Sequence, residues 1–84
     1  MKGVKMPAER HEIQPGHALV YEIVEKEGNF RVRFHRDYRR WSGKWYWLKV
    51  NGEVFETITA DDAQLAIDTD VHDRHVELEG WNPQ

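Results

Sequence analysis

Residues 30–58 read FRVRFHRDYRRWSGKWYWLKVNGEVFETI. Phe30, Val32 and Phe34 alternate with Arg31, Arg33 and His35, the period of two expected of a half-buried strand. Farther along, Asn51 and Gly52 separate two β-prone runs, residues 44–50 and 53–58. A two-residue type I′ turn needs φ > 0 at both central positions, which Asn and Gly supply at least cost, so the dipeptide predicts a hairpin. The turn also sets a register. Val50 falls opposite Glu53, Leu48 opposite Phe55 and Tyr46 opposite Thr57, while Lys49 meets Val54, Trp47 meets Glu56 and Trp45 meets Ile58. If the strand at 30–35 lies beside this hairpin, Phe30, Val32, Phe34, Tyr46 and Leu48 share a core face. Arg31, Arg33, His35, Trp45, Trp47 and Lys49 then share the other. Residues 37–43 read as the connection.

Outward from this centre, residues 17–25 are largely β-formers, and Lys26-Glu27-Gly28-Asn29 supplies a turn. Residues 1–17 contain Pro7, Pro15, Gly3 and Gly16 with little periodicity and read as a flexible or loosely packed arm. On the C-terminal side Thr59 is placed to cap a helix, with Asp62 three residues on and Asp61 favoured by the helix dipole. The expected helix is short, about residues 60–68, and Val76 and Leu78 alternate with polar neighbours as a closing strand would. The reading is an α+β domain over residues 18–84. It has an antiparallel sheet of four to five strands in the order β-β-β-β-α-β, with one short helix packed on one face.

The chain has 84 residues, enough for one domain and one small core. It contains no cysteine, which excludes a disulfide framework, a thiolate metal site and a cysteine nucleophile. No apolar run reaches the length of about 18 residues that a membrane span needs, and the N-terminus has no signal-like apolar segment. The expectation is a cytoplasmic protein without a membrane partner.

Net charge is only −3, but its distribution is strongly polar. Residues 26–49 hold eight of the twelve Lys and Arg, whereas residues 50–84 hold nine acids and Arg74 alone among bases. Fields act through local charge, and basic residues interleaved with Trp and Tyr are what a polyanion-binding surface requires. The candidate site is therefore Arg31, Arg33, His35, Trp45, Trp47 and Lys49, with Arg39, Arg40 and Lys44 from the neighbouring loop. The opposing reading makes both tryptophans core residues, with the arginines stacked over them or neutralised by the acidic third.

Other constellations carry less. His72 and His75 lack a third spaced ligand, so no metal is expected. Ser42 has no sequence cue for a partnered base, and no Gly-rich loop follows a strand, so neither catalysis nor a cofactor is expected. The sequence therefore reads as a small non-enzymatic binding module for nucleic acid or an acidic protein surface. The alternative is a small regulator or inhibitor, phage-like in style, that binds a protein or complex through its acidic C-terminal third. Residues 44–67 resemble in layout small bacterial and phage α+β domains, in which an aromatic strand, an NG turn and a partner strand lead into a short helix. The likeness implies no site residues.

Overall fold

The computed structural model describes residues 4–5, 7–39 and 41–80, with side chains for 7–39 and 41–77. The strands are β1 (Val4–Lys5), β2 (Glu9–Gln14), β3 (His17–Lys26), β4 (Asn29–Tyr38), β5 (Trp41–Ser42), β6 (Tyr46–Trp47), β7 (Lys49–Val50) and β8 (Glu53–Val54). They precede one helix, α1 (Ala60–Gly80). The class is α+β, an antiparallel sheet with one helix.

The frame is the hairpin of β3 and β4, paired from His17↔Tyr38 to Lys26↔Asn29. Its turn residues Glu27 and Gly28 have φ of 56° and 83°, the left-handed pair of a type I′ loop. β1 and β2 both pair with the outer edge of β3, and β5 and β6 both pair with the outer edge of β4. The sheet is thus four strands wide. Residues 9–14, within the stretch expected to be a loose arm, form β2, and Pro15-Gly16 is the turn that reverses it onto β3. Ile13 of that strand packs against the core.

The expected connection at 37–43 is mostly strand. β4 extends to Tyr38, the chain turns at Arg39 with φ of 56°, and β5 pairs back through Tyr38↔Trp41 and Asp37↔Ser42. The Asn51-Gly52 turn forms with φ of 54° and 85°, and Lys49↔Val54 and Val50↔Glu53 pair as the register requires. Beyond Leu48 and Phe55, however, the hairpin arms part. Tyr46 and Trp47 pair with Phe34 and Arg33 instead of Thr57 and Glu56. The Leu48 amide donates to Val32 O at 2.7 Å, and Thr57 exchanges two hydrogen bonds with Phe30 at 2.7 and 2.9 Å. Both arms satisfy the open edge of β4, whose backbone groups otherwise lack sheet partners.

One sheet face is covered by α1. Leu19, Tyr21 and Ile23 from β3, Val32 from β4 and Leu48 are buried there against Ala63 and Ile67. Each large side chain so placed contributes about 1.5–3 kcal/mol of transfer free energy. Phe30 and Phe34 join this cluster, and Tyr46 lies beside Phe34 with ring centroids 6.2 Å apart. The inward face read from the alternation is the observed one, except that Tyr46 lies at its margin and is exposed, not core.

The helix corrects two expectations, its shortness and the closing strand after it. It starts as read, with the Asp62 amide donating to the Thr59 hydroxyl at 3.1 Å. It then continues through residues 71–79, where a strand was expected. No Gly or Pro interrupts residues 60–79. The continuation is held by tertiary contacts. The Tyr21 hydroxyl donates to Asp70, Arg74 Nε donates to the same carboxylate at 2.8 Å, and the Arg74 guanidinium lies over the Phe34 ring at 5.0 Å. A four-residue alternation weighs little against such anchors. No helix among the described residues is long and apolar enough to cross a membrane.

Candidate functional site

The sheet face away from α1 gathers residues from four strands. Alternation along β4 puts Arg31, Arg33 and His35 there, and β6 places Trp47 beside Arg33. The side chains meet diagonally, as neighbours on a pleated sheet do. The Arg31 guanidinium lies 5.7 Å from the Trp47 ring centroid, and that of Arg33 lies 4.5 Å from Trp45. His35 stands edge-on to Trp45 with centroids 4.5 Å apart, and its Nδ1 is 3.1 Å from Arg36 O. Trp45 and Trp47 remain 41% and 40% exposed. They are half wet, not core.

The acidic residues on this face were not singled out by the sequence. Glu22 lies opposite Arg33 in the β3–β4 register and accepts its guanidinium at 2.5 Å from Nη2 and 2.6 Å from Nε. Glu56 accepts from Arg31 at 3.4 Å. Arg10 of β2 reaches across β3 to Asp37, over Ala18, which has no exposed surface. The Arg10 hydrogen bond holds the Asp37 carboxyl below the usual carboxylate range, with smaller help from Ser42 and His35. A signal for Glu22 was present in the sequence. A two-residue turn at Glu27-Gly28 pairs position 22 with position 33 by counting alone.

This arrangement answers how the two charged halves meet. Among the described residues of the acidic C-terminal third, only Glu56 reaches the aromatic face. The acids of α1 lie on the other side of the sheet with the helix, and the carboxylates that hold Arg33 and Arg10 come from β3 and β4.

The remaining candidates lie at the margins. Lys44 is exposed and precedes Trp45. Arg39 stacks on Tyr38 at 5.6 Å beyond the end of the face. Lys49 is exposed and pairs with Val54 as the register implied. Once the hairpin leaves the β4 edge after Leu48, Lys49 borders the helix-side groove. Arg40 lies outside the described residues.

A recess of about 320 Å³ adjoins Trp47, walled by Val24, Lys26, Glu27, Asn29, Arg31 and Glu56. It offers an indole, an amide, two cations and two carboxylates around one concavity. Around the β4–β6 edge, Tyr38, Trp41 and Tyr46 are also exposed, a further aromatic surface that the alternation did not reveal.

His72 and His75 sit on α1, not on a strand. Among the described residues no three His, Asp or Glu side chains converge as metal ligands. The Ser42 hydroxyl donates to Asp37 at 3.4 Å, a carboxylate already held by Arg10. No protein-family model, curated protein or solved structure matches the chain.

Proposed function

We propose that the chain is a small non-enzymatic binding module whose helix-free sheet face takes single-stranded nucleic acid. One observation carries the reading: two half-exposed indoles on one sheet face, each with a guanidinium within 6 Å. Unpaired bases stack on such rings for about 1–3 kcal/mol each, with little regard to sequence. The recess at Trp47 offers a place for one base, with Lys26 and Arg31 positioned for the adjacent phosphate. Glu22 and Glu56 occupy the two guanidinium groups in the free protein, so phosphates compete with these carboxylates. Stacking, more than charge, therefore supplies the affinity.

The test is fluorescence anisotropy of a labelled oligothymidylate. Trp45→Ala and Trp47→Ala should each weaken binding about tenfold, the equivalent of roughly 1.4 kcal/mol, while leaving the melting temperature within a few degrees. Affinity unchanged in both variants, or absent from the wild type at low salt, would sink the reading.

A second reading, a regulator that docks on another protein, draws on the aromatic surface of Tyr38, Trp41 and Tyr46. Tyr, Trp and Arg are the residue types that dominate protein–protein hot spots. Capture of one stoichiometric partner from nuclease-treated lysate, lost in Trp41→Ala with Tyr46→Ala, would favour it over the first.

A further inference from the structure

On the helix side of the sheet, the β7–β8 hairpin and α1 enclose a solvent-open groove of about 560 Å³, within the roughly 300–1,000 Å³ range of binding pockets. Its helix wall is the stripe Asp62, Leu65/Ala66, Thr69 and Asp73, positions that recur three or four residues apart and so stack on one side of a helix. Its hairpin wall presents Leu48, Val50 and Phe55. Two apolar side chains of the lining are left uncovered, Leu65 at 62% and Val50 at 49% exposure.

The charge around this apolar centre has one dominant sign. Asp62, Asp70, Asp73 and Glu56 border it, against Lys49 alone. Asp70 is held by Tyr21 and Arg74, and Glu56 faces Arg31. Asp62 accepts only the Thr57 hydroxyl at 3.4 Å among side-chain donors, and Asp73 has no ion pair among the described residues. These two carboxylates bracket Leu65 and Thr69 along the helix. Eleven residues at a 1.5 Å rise separate them by about 16 Å, the span of roughly five residues of extended chain.

We propose that this groove binds an extended segment of a partner protein that carries two Lys or Arg four or six residues apart, an even spacing that puts both on one side with a Leu-sized side chain between them. The cations meet Asp62 and Asp73, and the apolar side chain covers Leu65 against Val50 and Phe55. The site lies across the sheet from Trp45 and Trp47, so it stands or falls independently of the nucleic-acid reading.

The probe is the peptide Gly-Lys-Thr-Leu-Thr-Leu-Thr-Lys-Gly, titrated into isotope-labelled protein and followed by amide chemical shifts. Saturable shifts confined to Val50, Leu65, Thr69 and Asp73 are expected. Leu65→Asp, and separately Asp62→Asn with Asp73→Asn, should weaken binding at least about fivefold. Leu65 is exposed, so its replacement should leave the melting temperature nearly unchanged. Asp61→Asn with Glu77→Gln, which removes exposed acids outside the groove, should leave binding unchanged. An equal loss in that pair would reduce the effect to general attraction and overturn the proposal. So would an absence of shifts at about 1 mM peptide, groove shifts that grow with protein concentration alone, or the same shifts produced by oligothymidylate.

Discussion

At the scale of single residues, the two type I′ turns differ in one informative way. Asn51-Gly52 uses the residue pair best suited to φ > 0 at both positions, whereas Glu27-Gly28 places a glutamate at φ of 56°. A left-handed conformation costs an ordinary side chain on the order of 1–2 kcal/mol, and Asn less. Glu27 is exposed and makes no side-chain hydrogen bond or ion pair among the described residues. Glu27→Asn should therefore stabilise the fold by roughly 0.5–1 kcal/mol, visible as a rise in the denaturation midpoint. A fall would show that Glu27 does work in the turn that the backbone angle does not express. This position was legible from the sequence as a turn, because Gly28 lies between two alternating runs. Which turn type it is follows only from the strands it must join.

At the scale of elements, α1 shows where local signals give out. Five aspartates, one threonine and two histidines are poor helix interior residues, and apolar side chains are scattered around its circumference instead of forming one stripe. Its C-terminal half is fixed through Asp70, which is held by Arg74 one turn on and by Tyr21 of β3, 49 positions away in sequence. Burial, and then the Asp70 hydrogen bond and charge, push the Tyr21 hydroxyl well above its ordinary pKa of 10.0. Burial opposes the Arg74 charge, but Asp70 more than restores it and raises its pKa. The sign for Tyr21 is definite. The folded state holds the proton more tightly than the unfolded one, so this contribution is intact below pH 10 and is lost as pH rises above it. Tyrosinate absorbance should gain a step that coincides with loss of the circular dichroism signal, and Tyr21→Phe should remove that step. Asp70→Asn should cost about 2–3 kcal/mol by leaving the part-buried Arg74 charge without its counterion. Tyr21→Phe should cost nearer 1 kcal/mol. Equal losses in the two variants would mean that the ion pair adds nothing beyond the tyrosine hydrogen bond.

At the scale of the whole molecule, the charge asymmetry of the sequence becomes two faces of a sheet. The aromatic face is not the bare cationic surface that the run of Arg and Lys suggested. Arg10, Arg31 and Arg33 each meet a carboxylate on it. The tryptophans stay accessible while their cations are already engaged. Glu22→Gln with Glu56→Gln would release two guanidinium groups for phosphate. Binding of oligothymidylate should then tighten, and the slope of log affinity against log salt should steepen by about 1.4, at roughly 0.7 per phosphate contacted by a single strand. An unchanged slope would place the phosphates elsewhere, at Lys44 or beyond the sheet.

The sequence by itself determined the α+β class, the start of the helix and which residues of β4 and β6 share a face. Each of these rests on short-range geometry. Side chains alternate every residue along a strand, an Asn-Gly pair accepts positive φ, and Thr59 reaches an amide three residues away. The tertiary structure alone decided that both hairpin arms dock on β4, that α1 runs on where a strand was expected, and that Glu56 holds Arg31. These outcomes depend on competition between distant partners. An open strand edge offered Tyr46 and Thr57 better hydrogen bonds than each other, and a buried tyrosine offered Asp70 an anchor. No local pattern encodes the winner of such a contest, because its energy lies in contacts that exist only once the sheet has formed.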